Sequence, residues 1–415
     1  MIALLILACS ALLMTCAGSS SDNRRQAADD GLITLRDMAQ ETDFSFFGYE
    51  SASDVGKEEL GEPIEIRKID SDALLQRAVP DDSMIIGSNE YLYPVLVRDK
   101  PIGSVQVMID EDVWEYVAIG AKSMIEKVLD TIAANALVIE DSYLLDLDEI
   151  EMAFVGYEES GRNILIPLYA SDSAPFIPGT KYEFREIAPY IKATIIAARD
   201  SYNDMVPPNL RNMNASPVPV VGELLRSLSS SHTMTESASK TNKLLNVQLF
   251  PQEQNQWCWA ATGKMTMLFA GGDAGGITQC AQANDAFVQN SCCEDGAATK
   301  CNKPFYPLYD NWGFTAKEGY NDAGAALSWT ALKAVLDAGK PVSFLWKWNS
   351  GGGHYMVAVG YYEDTTENPV KRLVNINDPW PPGEGKKYSV TYEKWVGGAK
   401  YDALQTCYYY DIAKK

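Results

Sequence analysis

Residues 252–262, QEQNQWCWAAT, carry more information about this chain than any other stretch of it. From Trp257 to Ala270 apolar residues and strong helix formers recur at helical spacing, and Gly271 and Gly272 stop the run, so Cys258 falls near the start of a helix. A thiol there faces unpaired backbone N–H groups and the positive end of the helix, which favour thiolate over thiol. The flanking Trp257, Trp259, Ala260 and Ala261 suit a buried core cysteine equally well. The choice between the two rests on what the rest of the chain supplies.

Downstream, SWTALKAVLDAGKPVSFLWKW (328–348) predicts a helix, a glycine stop and a strand. GGGHYMVAVGYYED (351–364) predicts a strand beginning at His354, and KRLVNINDPW (371–380) predicts a further strand ending in a turn. His354 is the sole histidine after residue 245, and the three glycines before it let another chain segment approach closely. Asp378 follows a hairpin of a length that returns it beside that histidine. Cysteine, base and orienting carboxylate each fall at the end of an element, the pattern of a Cys-His-Asp hydrolase.

Together these runs resemble the papain-like cysteine peptidases. QEQNQWCWAAT is similar to the active-site run of the bacterial branch in which a Gln, five residues and then Cys-Trp-Ala-Ala follow one another; GGGHYMVAVGYY resembles its histidine strand and INDPW its aspartate segment. The likeness covers residues 245–415 and keeps the family's motif order. It implies an α+β fold in which an N-terminal helix bearing the nucleophile packs on an antiparallel sheet. It also implies roles: Cys258 as nucleophile, His354 as its base, Asp378 as the group that orients the imidazole, and Gln252 as an oxyanion donor beside the backbone N–H of Cys258. Asn375 and Asn377 stay open as orienting residues, because many members use asparagine there. Gln254 and Gln256 are rival donors whose spacing departs from the family pattern. Trp380 resembles the tryptophan that shields the histidine contact from water, with ordinary turn packing beside Pro379 as the alternative. The substrate implied is a protein or peptide, with no metal or organic cofactor. The same triad also serves hydrolysis or transfer at peptidoglycan amides, and a catalytically silent member would bind peptides only.

The 415 residues suffice for two or three domains, and 46% hydrophobic with 22% charged residues excludes a disordered or fibrous chain. Net charge is -21, which repels phosphate backbones and argues against a nucleic-acid partner. Residues 1–244 carry 20 basic and 39 acidic side chains (net -19), against 15 and 17 in residues 245–415 (net -2). Two differently composed units are therefore joined before residue 245, with little overall electrostatic attraction between them. Residues 31–204 predict a separate α+β domain. YLYPVLVRDKPIGSVQVMI (91–109) reads as two strands broken at Pro101 and Gly103, 114–136 as a helix, NILIPLYA (163–170) as a strand and 181–204 as another helix. The domain has no His, no Cys and no glycine-rich phosphate loop, so its acidic groups are expected to solvate a surface. It occupies the position of a propeptide, and an inhibitory, targeting or adhesive role is open to it. Residues 205–244 read as an exposed Pro/Ser-rich linker holding His232 and one short helix near 221–228.

MIALLILACSALLMTCAGSSSDN, at the start, is an apolar run too short for a confident membrane span and is expected to be an export signal. Its LMTC resembles a bacterial lipoprotein signal, which implies a signal over 1–16, a lipidated Cys16 anchored to a membrane, and a polar tether over 17–30; plain secretion is the alternative. Either places the protein outside the cytoplasm. Of eight cysteines, Cys9 and Cys16 fall in this leader. Cys280, Cys292, Cys293 and Cys301 crowd together without a histidine among them, which suits local disulfides better than zinc. Their pairing and the state of Cys407 are not legible.

Overall fold

A computed structural model describes residues 20–147, 150–169, 175–211 and 238–415. Cys16 and the rest of the stretch expected as a leader, His232 and the helix expected near 221–228 lie outside the described residues. The first element is helix α1 (Ser20–Glu41). Its first half is the stretch expected as a tether. The reason is a buried stripe: Ala27, Ala28, Leu32, Leu35 and Met38 pack with Val105 and Ile119, while Asp22, Asn23, Arg25 and Gln26 occupy the solvated face.

Strands β1 (Ile64–Ile69), β2 (Ile85–Val97), β3 (Lys100–Asp110) and β4 (Val113–Gly120) form an antiparallel meander. The β2–β3 turn falls on Arg98 and Asp99, both at left-handed φ (51° and 64°), just ahead of the break expected at Pro101 and Gly103. Residues 114–119, expected as helix, are strand: β4 pairs with β3 along its length and with β13 at its end, Ala118 to Gly120. Helix α2 (Lys122–Ala134) starts only after Gly120 and Ala121 reverse the chain, and it buries Ile125, Val128 and Ile132 at the expected spacing. Strand β5 (Ser142–Leu147) returns parallel to β1, and β6 (Met152–Glu159) and β7 (Arg162–Pro167) continue antiparallel. Helix α3 (Phe184–Ser201) buries Phe184, Ile187, Ile191 and Ile195 with residues of β5 to β7.

The C-terminal half runs β8 (Lys240–Leu244), α4 (Cys258–Phe269), α5 (Gln279–Phe287), β9 (Phe314–Tyr320), α6 (Trp329–Asp337), β10 (Val342–Trp348), β11 (Gly353–Asp364), β12 (Lys371–Asp378), β13 (Lys386–Thr391) and β14 (Ala403–Lys414). Antiparallel pairing gives the order β9-β14-β10-β11-β12-β13, with β8 extending the β10 edge of β11. The segment expected as a linker is packed at both described ends. Met205, Val206 and Leu210 are buried in one cluster with Trp257 and Cys258, and residues 240–244 are strand. The apolar members of that Pro-rich stretch outweigh its loop-like composition.

The two halves are not independent. Strand β13 pairs antiparallel with β4 through Tyr388–Gly120, Ser389–Ile119 and Val390–Ala118, which makes one continuous mixed sheet with flanking helices. Gly120 is needed there, since its φ is 111° and a Cβ would come within 2.9 Å of the Tyr388 Cα. One apolar cluster takes Leu35, Tyr93, Val105 and Ile119 from the first half and Leu245, Val374, Val390 and Trp395 from the second. Although both halves carry net negative charge, their contact is locally complementary. Lys240 meets Asp37, Lys400 pairs with Asp110 at 2.8 Å, and Lys394 donates to Gln106 at 3.1 Å. No helix among the described residues is long and apolar enough to cross a membrane.

Candidate active site

Cys258 is the first residue of α4 and is 2% exposed. Along the same helix, Thr262 donates its hydroxyl to the carbonyl of Tyr355 (3.1 Å), the residue after His354. This bond, with the packing of Trp259 and Met267 in one cluster with Tyr355, holds the cysteine helix against the histidine strand. Gly351 (φ 110°) and Gly352 (φ 78°) turn the chain from β10 into β11, and Gly353 lies so close to the Trp346 carbonyl that a Cβ would approach it to 2.7 Å. That is the close approach the glycine run predicts.

His354 is buried with both ring nitrogens engaged. Nε2 contacts Asp378 Oδ1 at 2.7 Å, and Nδ1 contacts Glu151 Oε1 at 3.1 Å. Asp378 is itself held: Oδ1 accepts from the Trp380 backbone N–H (2.8 Å), Oδ2 from the Tyr388 hydroxyl (3.3 Å), and Lys386 Nζ lies 3.5 Å away. Burial disfavours a carboxylate, yet Lys386 and His354 hold Asp378 below its ordinary range. Burial likewise disfavours an imidazolium, but the charge of Asp378, with hydrogen bonds from the ring to Asp378, Cys258 and Glu151, raises His354 well above its ordinary value. Asn377 and Asn375 are engaged elsewhere, donating to Val247 O (2.9 Å) and Ser389 Oγ (3.0 Å).

Gln252 is fully buried and is tied to the turn after Asp378: its N–H donates to Pro379 O (2.9 Å) and its carbonyl accepts from Gly383 N–H (3.0 Å). Its side-chain amide Nε2 lies within donating distance of the carbonyls of Asn255 (2.8 Å) and Gln254 (3.0 Å), and of Glu151 Oε2 (3.0 Å). Gln254 thus contributes a carbonyl to this site, and the Gln256 N–H donates to Asn302 Oδ1 (3.0 Å). Trp380 is 4% exposed and packs edge-on against Tyr169 of the first half. A cavity of about 100 Å³ lies against Glu151, His354, Asp378, Trp380, Leu92 and Met124.

Glu151 is the residue that sequence reasoning missed. It belongs to the acidic half, whose carboxylates were expected only to solvate a surface, and it sits at the turn joining β5 to β6 with φ 54°. Burial raises its pKa, and the hydrogen bonds to His354 and Gln252 offset this only in part. No motif marks it; a contact to a residue 203 positions away has no local signal. Among the described residues, Glu151, Cys258 and His354 also form the one group whose ligand atoms, all within 4.8 Å of one another, could hold a metal ion.

Behind α4, Cys280 pairs with Cys293 and Cys292 with Cys301. The bridged loop and the residues just after it accept from the rings flanking Cys258: Trp257 Nε1 donates to Cys301 O (2.9 Å) and Trp259 Nε1 to Lys303 O (3.1 Å). Cys407 is a free, buried thiol whose pKa burial pushes up to about 12, so it is a core residue.

Residues 244–407 match the family model described as Peptidase_C39 like family. No curated protein matches the chain. Cys258 and His354 both lie inside the matched span, so residues 244–407 form a C39-like peptidase domain of the papain-like kind, with Glu151 of the cluster reaching it from the first half.

Proposed function

We propose that this protein is an extracytoplasmic cysteine endopeptidase acting through Cys258, His354 and Asp378. The observation that carries the reading is the His354 ring, clamped by Asp378 on one nitrogen and turned on the other toward the start of the helix that bears Cys258. The thiolate of Cys258 attacks the scissile carbonyl, and the oxygen that becomes negative accepts from the Gln252 side chain and the Cys258 backbone N–H. His354 passes its proton to the leaving amine, leaving a thioester, then takes a proton from water as hydroxide attacks that thioester and frees the thiol. Asp378 fixes the ring and supports its charge, and Trp380 keeps water from their contact. No step requires a metal or organic cofactor. Export through the apolar leader, with Cys16 as a lipid anchor, completes the proposal.

Two substitutions and two substrates test it. After limited proteolysis and separation of the N-terminal domain, the wild-type protein should hydrolyse casein and a fluorogenic peptide, and Cys258→Ala should abolish this with little change in unfolding midpoint. His354→Ala should abolish it too, with a lower unfolding midpoint because Asp378 then loses its buried partner. Retained hydrolysis in Cys258→Ala would sink the reading. Release of amines from purified peptidoglycan without any from casein would move the substrate class to cell-wall amides.

A further inference from the structure

We propose that Glu151 is a tethered carboxylate ligand of the peptidase's own oxyanion site, by which the N-terminal domain holds the intact chain inactive. This rests on the peptidase reading above and deepens it. The two oxygens of this one side chain reach the two groups a reacting peptide bond needs. Oε2 accepts from Gln252 Nε2 at 3.0 Å, and Oε1 meets His354 Nδ1 at 3.1 Å, with the Cys258 thiol beside them. In the reaction, Gln252 donates to the carbonyl oxygen and His354 to the departing nitrogen. A carboxylate on both leaves no place for a scissile carbonyl, and it resembles the carboxylate that hydrolysis itself releases.

Catalytic assistance is the competing role, and electrostatics decides against it. A negative group against the oxyanion donor repels the negative oxygen that forms there, so it raises the barrier that Gln252 exists to lower. The position also carries strain suited to a clamp: a non-glycine residue at left-handed φ persists only where its surroundings hold it. The surroundings do. The β4–β13 pairing, the Ala121 N–H to Lys387 O bond (2.9 Å), the Ser123 hydroxyl to Gly385 O bond (3.1 Å), the Lys127–Glu384 pair and the Tyr169–Trp380 contact fasten the domain around the turn that follows Asp378. Tethering then lets a single weak ligand compete with substrate at high effective concentration.

The test uses the full chain, uncleaved, as wild type, Glu151→Gln and Glu151→Gly. Glutamine is close in shape but sets an amide N–H₂ against a donor; glycine suits the left-handed turn and removes the side chain, and unfolding midpoints show that both variants are folded. Alkylation of Cys258 by iodoacetamide, located by mass spectrometry, is read beside hydrolysis of a fluorogenic peptide. Both variants should alkylate at least about tenfold faster than wild type, as expected when a ligand at millimolar effective concentration is removed. Equal alkylation rates in all three proteins, or a fall in hydrolysis in both variants, would overturn the proposal. Faster alkylation with no hydrolysis of any substrate would uphold the carboxylate clamp and remove the peptidase reading instead.

Discussion

His354 keeps its proton because Asp378 stands on one side of a ring that water hardly reaches, and the two groups stabilise the fold only while both are charged. Asp378 has its pKa lowered from 3.8, so its contribution is whole above that value and is lost as pH falls through the lower native pKa. His354 has its pKa raised from 6.5, so its contribution is whole below that value and is lost as pH rises through the native pKa. The pair therefore counts fully between about pH 4 and pH 6.5. Asp378→Asn should lower the unfolding free energy most in that window and less at pH 9, measured by urea titration. Proton NMR should show the His354 titration move toward neutrality in the variant, an assignable shift in a chain with two histidines. Orientation without charge is what asparagine retains, so some hydrolysis should survive. Cys258, His354 and Asp378 stand in runs whose spacing has a chemical reason and Gln252 is implied by the family resemblance; the structure brings His354 to Asp378 and the Gln252 side chain to the same place. Glu151 was not legible, because one glutamate among 56 acidic side chains gains its meaning only from a turn in another half of the chain.

At the scale of elements, the cysteine helix is short and buried, and it is steadied from outside. The loop closed by Cys280–Cys293 and Cys292–Cys301 presents the Cys301 carbonyl to Trp257, and Lys303, two residues past it, presents its own to Trp259, so the cross-links steady the rings on either side of the nucleophile. Replacing Cys292 and Cys301 by serine should cost about 2–4 kcal/mol of stability. It should also lower kcat more than it raises KM, as read by urea unfolding and steady-state kinetics. A merely structural bridge would leave the kinetic constants of the folded fraction unchanged. That this cluster forms disulfides was legible from crowding and the absence of histidine within it, whereas the pairing was not, because adjacent Cys292 and Cys293 can each reach either partner until the backbone decides. Residues 114–119 illustrate the other limit. Their apolar spacing suits a helix, and pairing with β3, joined at Ala118 and Ile119 by β13, makes them β4.

Across the whole molecule, the shared apolar cluster, the joined sheet and the ion pairs bind the halves without the connecting segment. Cleavage within residues 212–237 should therefore leave two pieces that co-elute in size-exclusion chromatography, still weakly active. Hydrolysis should rise when the N-terminal piece is stripped away or digested, and a fully active, still associated nicked form would contradict this. The joint between β4 and β13 bears also on the time at which the protein becomes itself. Strand β4 is synthesised first, and its partner, residues 386–391, leaves the ribosome only after every residue between them. Until then one edge of the nascent sheet is bare and the cluster around Leu35 and Ile119 lacks half its neighbours, so chaperone capture of the emerging chain is favoured at this edge. A chain shortened before Lys386 should accumulate as aggregate or as chaperone complex, since the early half waits on the late one.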